Sequence, residues 1–523
     1  MSGAASGAPG GETFDVVVVG SGGGALTAAH LAARAGLATV VAERTDRLGG
    51  TSAYSGGACW LPGSAVQQRA GIPDSTASAR AYLDAVLEKP DEARLEAFLA
   101  HAPELVDALE AAGLPFEWLP FPEYFDAPGR VPTGRSIQPL AVARDELPPA
   151  VAALVRPPVE RDRAGREGRR TLTGGQALIA RLLELFVRDG GAVRTGHRVT
   201  GLLSDPAGGG ASPARVTGVV AETAGGTVEL RARRGVLLAA GGFEGSAALR
   251  RARDVPGSAA WTMAPAGTNA GEAIEAALAL GAASDFLAEA WFCPGLEQPD
   301  GGGSFTLGFR GGVMVDATGR RYANECLPYD RFGREMAKAP ERVPSWLVFD
   351  SREGGRLPAI AMPEGDDEAH LAAGTRVRAG TVAELAAAMG VDAAALTATI
   401  ERFNAHAAAG EDADFGRGAD EYDAFFAGGG GPAAVLAPIT EPPFHAARFV
   451  LSDLGTKGGL VTDAAGRVLD VDLEPIGGLY AAGNTAASLT GAVYPGPGVP
   501  LGTAMVFASL AVRDLTQTPA EGR

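Results

Sequence analysis

Hydrophobic positions along the chain fall first in short unbroken runs and later at helical spacing. Four consecutive valines, Val16, Val17, Val18 and Val19, predict a strand buried on both faces. Small residues over 26–35 predict a closely packed helix, and the apolar run 38–42 predicts a second strand. In 74–112 helical spacing runs through Tyr82, Leu83, Val86 and Leu87, then Leu95, Phe98, Leu99, Leu105, Val106 and Leu109. Pro90 and Pro103 predict that this stretch is cut into separate short helices. Residues 114–134 are rich in aromatics and proline and predict a loop of a length more often functional than idle. The charged run 156–170 reads as a solvated surface loop. Alternation then resumes with a helix over 178–188, a strand over 192–195 and an antiparallel excursion pairing 216–222 with 227–232. A buried strand from Gly235 ends in a glycine turn at Gly241, and 271–281 is a small-residue helix. Between 290 and 444 the periodicity is mixed; beyond it, a strand over 478–484 and a helix over 503–512 bring the alternation back.

The turn after the valines is Gly20, Ser21, Gly22, Gly23, Gly24 and Ala25, a G-x-G-x-x-G/A fingerprint between strand and helix. Gly20 permits the tight turn, Gly22 lets backbone approach a pyrophosphate, and Ala25 keeps helix and strand close. Phosphates would rest on unpaired N–H groups at the helix N-terminus. The second strand ends at Glu43, at the distance expected of an acid that takes ribose hydroxyls. Strand, glycines, helix, strand and acid in that order predict an α/β fold. It comprises a Rossmann-like dinucleotide domain, a parallel sheet with helices on both faces, formed by 13–289 and 447–523. An α+β substrate domain is inserted at 290–446, and 1–12 is a disordered tail.

Composition narrows the function classes. The chain has 523 residues and a net charge of −17, which leaves no electrostatic footprint for nucleic acid. Cys59, Cys293 and Cys326 have no metal-ligand spacing, and six scattered histidines form no cluster, so no metal is expected. No apolar run approaches the ~18–20 residues that span a bilayer, and the N-terminus has no basic region followed by an apolar one. A cytoplasmic protein is expected, with peripheral membrane contact and the choice between monomer and small homo-oligomer left open.

After Glu43 and Arg44 comes a loop crowded with glycine and hydroxyls: Gly50, Thr51, Ser52, Ser55, Gly56 and Gly57. The wording GGTSAYSGG resembles the FAD-dependent fumarate reductase and 3-ketosteroid dehydrogenase superfamily. With FPEY, NECLPYDRFG, LYAAGN and YPGPGVPLG, the resemblance becomes specific to the 3-ketosteroid Δ1-dehydrogenases and covers nearly the whole chain. Two departures are visible: Ala25 replaces the third glycine, and Phe125 follows Tyr124 where relatives often have a second tyrosine. The resemblance implies FAD, with Val199, Ala240, Gly241, Gly483, Asn484, Leu501 and Gly502 completing its site. No His or Cys stands at an obvious attachment point, so binding should be non-covalent.

Tyrosine is scarce, eight in the chain, and three of them lie in those loops: Tyr124, Tyr329 and Tyr494. Singly, each reads as a packed tyrosine with a satisfied hydroxyl. Desaturating a carbon pair beside a ketone needs an acidified α-C–H, a base and a hydride acceptor. Tyr494 hydroxyl and the Gly498 N–H would bind the C3 carbonyl of a 3-ketosteroid, since Pro495 and Pro497 have no N–H. Tyr329 would take the C2 proton. By resemblance Tyr124 is the neighbour that relays it, and FAD accepts the C1 hydride. Phe121, Phe292 and Phe305 are candidate walls for a flat steroid. An external quinone or dye-like acceptor would reoxidise the cofactor. The alternatives are a Δ4-dehydrogenase, a fumarate-reductase-like enzyme, which needs converging Arg and His, and a non-catalytic flavin-binding protein.

Overall fold

The structure, a computed structural model, describes residues 11–205 and 215–517. Most of the predicted tail lies outside the described residues, and Glu12, at its end, already belongs to the first strand, Glu12–Val19. The valines form its second half, fully or almost fully buried. On one side it pairs in parallel with Thr39–Ala42, which pairs with Ala192–Arg194; on the other it pairs in parallel with Gly226–Leu238, which pairs with Pro475–Ala481. Arg467–Leu469 closes one edge antiparallel. The 216–232 excursion extends this sheet, because Gly226–Leu238 is long enough to continue from hairpin partner into parallel core strand.

The fingerprint helix is Gly23–Arg34, three residues longer at its start than its small-residue pattern shows, because the glycines themselves form the first turn. Helix Gly175–Arg188 flanks it, and on its other side lies the last helix, Val499–Gln517. A Cβ on Gly24 would come 2.9 Å from Ala504 O, so the two backbones meet nearly face to face.

Three expectations are corrected. Pro103 lies inside the continuous helix Glu92–Ala112 and does not divide it. A proline within a helix costs ~3 kcal/mol, and the buried stripe from Leu95 to Leu109 outweighs that. The boundary at 446/447 falls inside the strand Phe444–Thr456, which pairs antiparallel with Ala290–Leu296, Ser345–Phe349 and Arg376–Ala379. The second sheet therefore runs past that boundary to Thr456, in a buried run with no change of composition to mark it. Finally, the helix Val499–Gln517 is long and apolar enough to cross a membrane, although no such run was expected; most of it is buried against the fingerprint helix.

Candidate active site

A cavity of about 400 Å³ opens between the carboxyl ends of the parallel strands and the second sheet. Of the cofactor residues named above, all but Gly502 line it. Gly502 serves packing instead: a Cβ there would lie 2.3 Å from Trp60 O. Gly20, at φ +98°, would place a Cβ 2.4 Å from Ala239 O, so the turn needs glycine for both conformation and space. Gly22 caps the fingerprint helix without a side-chain bond, and Gly23 N–H donates to Ser52 Oγ. Glu43 is buried and held in place, accepting from Ser21 Oγ at 2.5 Å and from Thr45 N and Oγ1. Thr51 Oγ1 lines the cavity, buried and without a hydrogen-bond partner. A glycine cradle at a helix N-terminus, a fixed acid and an orphaned hydroxyl fit a dinucleotide. The run 156–170 is not wholly a solvated loop: Arg156 is buried, bonds Asp162 and Thr45 Oγ1, and lines the cavity.

At one end of the cavity the three tyrosines converge from separate elements. Tyr329 is the first residue of the helix Tyr329–Ala337. Tyr494 and Gly498 lie in the loop ahead of the last helix, and Tyr124 in the aromatic loop. Cross-links fix the loops: Tyr124 N and Tyr82 Oη donate to Pro495 O, Ser136 Oγ donates to Pro497 O, and Arg331 Nη1 donates to Tyr124 O. Beneath the aromatic loop Arg135 is fully buried between Glu123 and Asp74, and Trp60 Nε1 also donates to Glu123.

Tyr329 hydroxyl donates to Tyr494 oxygen at 2.8 Å. The rings meet edge to face, 5.5 Å between centroids, with Tyr124 5.6 Å from Tyr329 and 5.2 Å from Tyr494. Tyr329 and Tyr494 line the cavity; Tyr124 stands behind them, 1% exposed, its hydroxyl without a hydrogen-bond partner. Tyr329 hydroxyl is thus turned to Tyr494, while Tyr124, in edge contact, stands close enough to favour ionisation of Tyr329. Burial holds all three phenols well above their ordinary range, and proximity to Tyr494 raises Tyr329 further. Against burial, the hydroxyl of Tyr329 and the nearby N–H of Gly498 favour ionisation of Tyr494.

Phe121 and Phe305 line the cavity with Leu119, Leu307, Met362 and Leu454. Phe305 packs edge-on against Tyr329 at 4.8 Å. Phe292 is not a wall. Its neighbour Trp291 faces Tyr494 at 4.9 Å, so strand alternation turns Phe292 the other way, into the second core under the Arg334 guanidinium.

Several residues escaped sequence reading. Trp291 backs Tyr494 and donates from Nε1 to Asn484 Oδ1. Lys457, 1% exposed, sits 4.3 Å from the Trp291 ring centroid and 3.4 Å from Asp330; burial, opposed by Asp330, lowers it to about 8. Glu244 lies behind the cavity-lining Asn269, accepting from its amide and from Thr456 N. None carried a pattern; long-range packing alone gathers them.

Burial, and then the nearby Asp453 carboxylate, raise Glu244 to about 7. Because the folded pKa lies above the unfolded value, this group's contribution is complete below about pH 4.5 and is lost as pH rises through 7. The stability of Glu244→Gln relative to the parent should therefore rise by on the order of 3 kcal/mol between pH 4.5 and pH 8, measured by denaturant unfolding at each pH. Parallel behaviour at both pH values would contradict the shift.

Among the described residues one trio, His406, Asp412 and Asp414, brings metal-ligand-type atoms within 4.8 Å of one another. Asp412 is already engaged by Arg321, and Asp414 by Arg402 and His406.

The fold and the glycine-lined cavity define a flavoprotein of the dinucleotide-binding type, and residues 15–501 match the FAD binding domain family. The chain is 39% identical to a 3-oxosteroid 1-dehydrogenase of Rhodococcus opacus, over 96% of this chain and 98% of that one. It is 35% identical to a 4-oxocyclohexanecarboxylate 2-dehydrogenase of Sinomonas cyclohexanicum, covering 96% and 93%. A 3-ketosteroid Δ1-dehydrogenase from Sterolibacterium denitrificans, solved with 1,4-androstadiene-3,17-dione, superposes with a TM-score of 0.86 at 32% identity, covering 97% and 99%. The chain belongs to the family of FAD-dependent 3-oxosteroid 1-dehydrogenases, and its cofactor is FAD.

Proposed function

We propose that this protein desaturates the C1–C2 bond of a 3-ketosteroid, with Tyr329, Tyr494 and Gly498 as the groups that act on substrate. The observation that carries this reading is the 2.8 Å contact between Tyr329 and Tyr494 on the cavity wall, which Gly498 also lines. Tyr494 and Gly498 hold the carbonyl and stabilise charge that grows on its oxygen. The C2 proton goes to the Tyr329 oxygen. A neutral phenol accepts a proton only as it releases its own, and the oxygen in reach is that of Tyr494, which donates in turn to the carbonyl oxygen. The substrate becomes an enol, and its hydroxyl proton leaves as the ketone re-forms. FAD, when bound, supplies the acceptor for the second hydrogen, taken from C1 as hydride. Tyr124 rests against both rings and eases ionisation of Tyr329.

The relative acting on a 4-oxocyclohexanecarboxylate supports a second reading, the same desaturation on a small cyclic keto acid. Such a substrate calls for a cation near the tyrosines. The cavity's arginines, Arg44, Arg156 and Arg198, are grouped around Glu43 and already paired with Glu272, Asp162 and Glu222. The walls beside the tyrosines are apolar, which favours the steroid. A fumarate-type dicarboxylate meets the same objection.

Non-covalent flavin belongs to this proposal, since none of the three cysteines lines the cavity and His197 sits beside Glu43, to whose carbonyl its N–H donates. So do an external quinone-type acceptor and a cytoplasmic location. Acid precipitation should release free FAD, and anaerobic mixing should bleach the flavin with 4-androstene-3,17-dione far faster than with 4-oxocyclohexanecarboxylate. The reverse preference would transfer the protein to the second reading.

A further inference from the structure

A second, much smaller cavity of about 20 Å³ shares the Ala482–Asn484 turn with the large one and lies toward the first turn of the helix Glu92–Ala112. Arg94, Lys457, Ser488 and Thr503 are polar or charged residues of its lining, with Trp291 and Phe507 as aromatic walls. It has room for one water-sized species, since about 10–15 Å³ of such space holds a single water.

Arg94 is the unusual member. It is 7% exposed, and its guanidinium has no carboxylate within ion-pair distance among the described residues. Nη2 donates to Ala487 O at 3.0 Å, the guanidinium carbon lies 5.0 Å from the Phe507 ring centroid, and Nε is buried with no hydrogen-bond partner. The carboxylates that attract it from further off are committed elsewhere. Asp91 accepts from Arg94 N as the helix cap, and Asp463 holds Arg467. Lys457, the second cation of the lining, already has Asp330 as its counter-ion, and Arg334 is matched by Glu289. The excess buried charge is therefore that of Arg94. Buried charges in folded proteins are paired, because an isolated one loses several kcal/mol of hydration. Burial accordingly lowers the Arg94 pKa.

We infer that this cavity binds a single halide-sized monovalent anion, with Arg94 as its counter-ion. The volume excludes phosphate, sulfate and organic carboxylates and leaves a monatomic ion such as chloride. The site is a separate cavity behind the desaturation site; the two are joined by the turn that carries Asn484, whose side-chain oxygen accepts from Trp291, and by Trp291 itself, which packs on Tyr494.

The test compares thermal unfolding of the FAD-loaded protein in sodium chloride and in sodium gluconate at equal ionic strength. A ligand bound only by the folded state raises Tm by mass action, so chloride should raise it by several degrees over gluconate. Arg94→Met keeps the aliphatic stem on Phe507 and removes the charge. It should show the same Tm in both salts and, in gluconate, be no less stable than the parent. If Arg94 were only a packing and hydrogen-bonding residue, the variant would lose stability equally in both salts, which would overturn the inference. Crystals of the parent protein grown in sodium bromide decide the matter even if the variant does not fold. An anomalous peak beside the Arg94 guanidinium supports the site, and water alone at that position overturns it whatever the salt does elsewhere.

Discussion

Tyr329→Phe should lower the single-turnover rate of flavin bleaching by a 3-ketosteroid by about 10⁴-fold, the upper end of what a general acid–base group contributes. The substitution removes both the atom that receives the C2 proton and the hydrogen bond that passes a proton to Tyr494. It leaves the ring, and so the edge contacts with Phe305 at 4.8 Å and Tyr494 at 5.5 Å, in place. The variant should retain its flavin, because Tyr329 lies outside the glycine cradle. Tyr124→Phe should be much milder, since that hydroxyl stands behind the cavity wall and acts by easing ionisation of its neighbour. A Tyr329→Phe enzyme that bleaches at the parental rate would end the assignment of the base.

Tyr494→Phe should lower the same rate by about 10²–10³-fold, or ~3–4 kcal/mol, the usual cost of one donor to a growing oxyanion. The loss is smaller than that of Tyr329 because the Gly498 N–H still faces the same position. Burial makes the Tyr494 phenol a weaker acid than usual, and this suits the role: it stays protonated across the working pH range and donates without ionising. The hydroxyls of Tyr329 and Tyr494 share one hydrogen bond, so the double variant should lose less than the product of the two single losses. Multiplicative losses would show that the two act independently, contrary to the proton path proposed here.

Local order was readable from sequence wherever the physics is local. The valine run, the fingerprint and the loop of small donors each fix their own backbone, and the fingerprint residues and the glycines and hydroxyls of the loop line the cavity. Proline at 495 and 497 left Gly498 as the N–H donor of that loop, and Gly498 lines the cavity beside Tyr494. What could not be read depends on packing across the chain. Pro103 looks like a helix end until the buried stripe around it is seen to hold the helix together. Phe292 reads as a wall because its strand facing is not visible in sequence; its neighbour Trp291 turns toward Tyr494 and Phe292 the other way. The end of the second sheet lay hidden because Phe444–Thr456 is buried along most of its length and reads the same on both sides of residue 446. The partner of Tyr329, and the buried charges Lys457, Glu244 and Arg94, are set by elements far apart in sequence.

The most direct measurement of the central claim is the structure of the product formed from 4-androstene-3,17-dione under turnover with a dye acceptor. With Tyr494 and Gly498 on the carbonyl and Tyr329 at C2, the proposed roles predict a single product, 1,4-androstadiene-3,17-dione, with the abstracted deuterium of a C2-labelled substrate released to solvent. A new double bond elsewhere in the ring system, or no turnover of any 3-ketosteroid by a fully flavin-loaded protein, would contradict it.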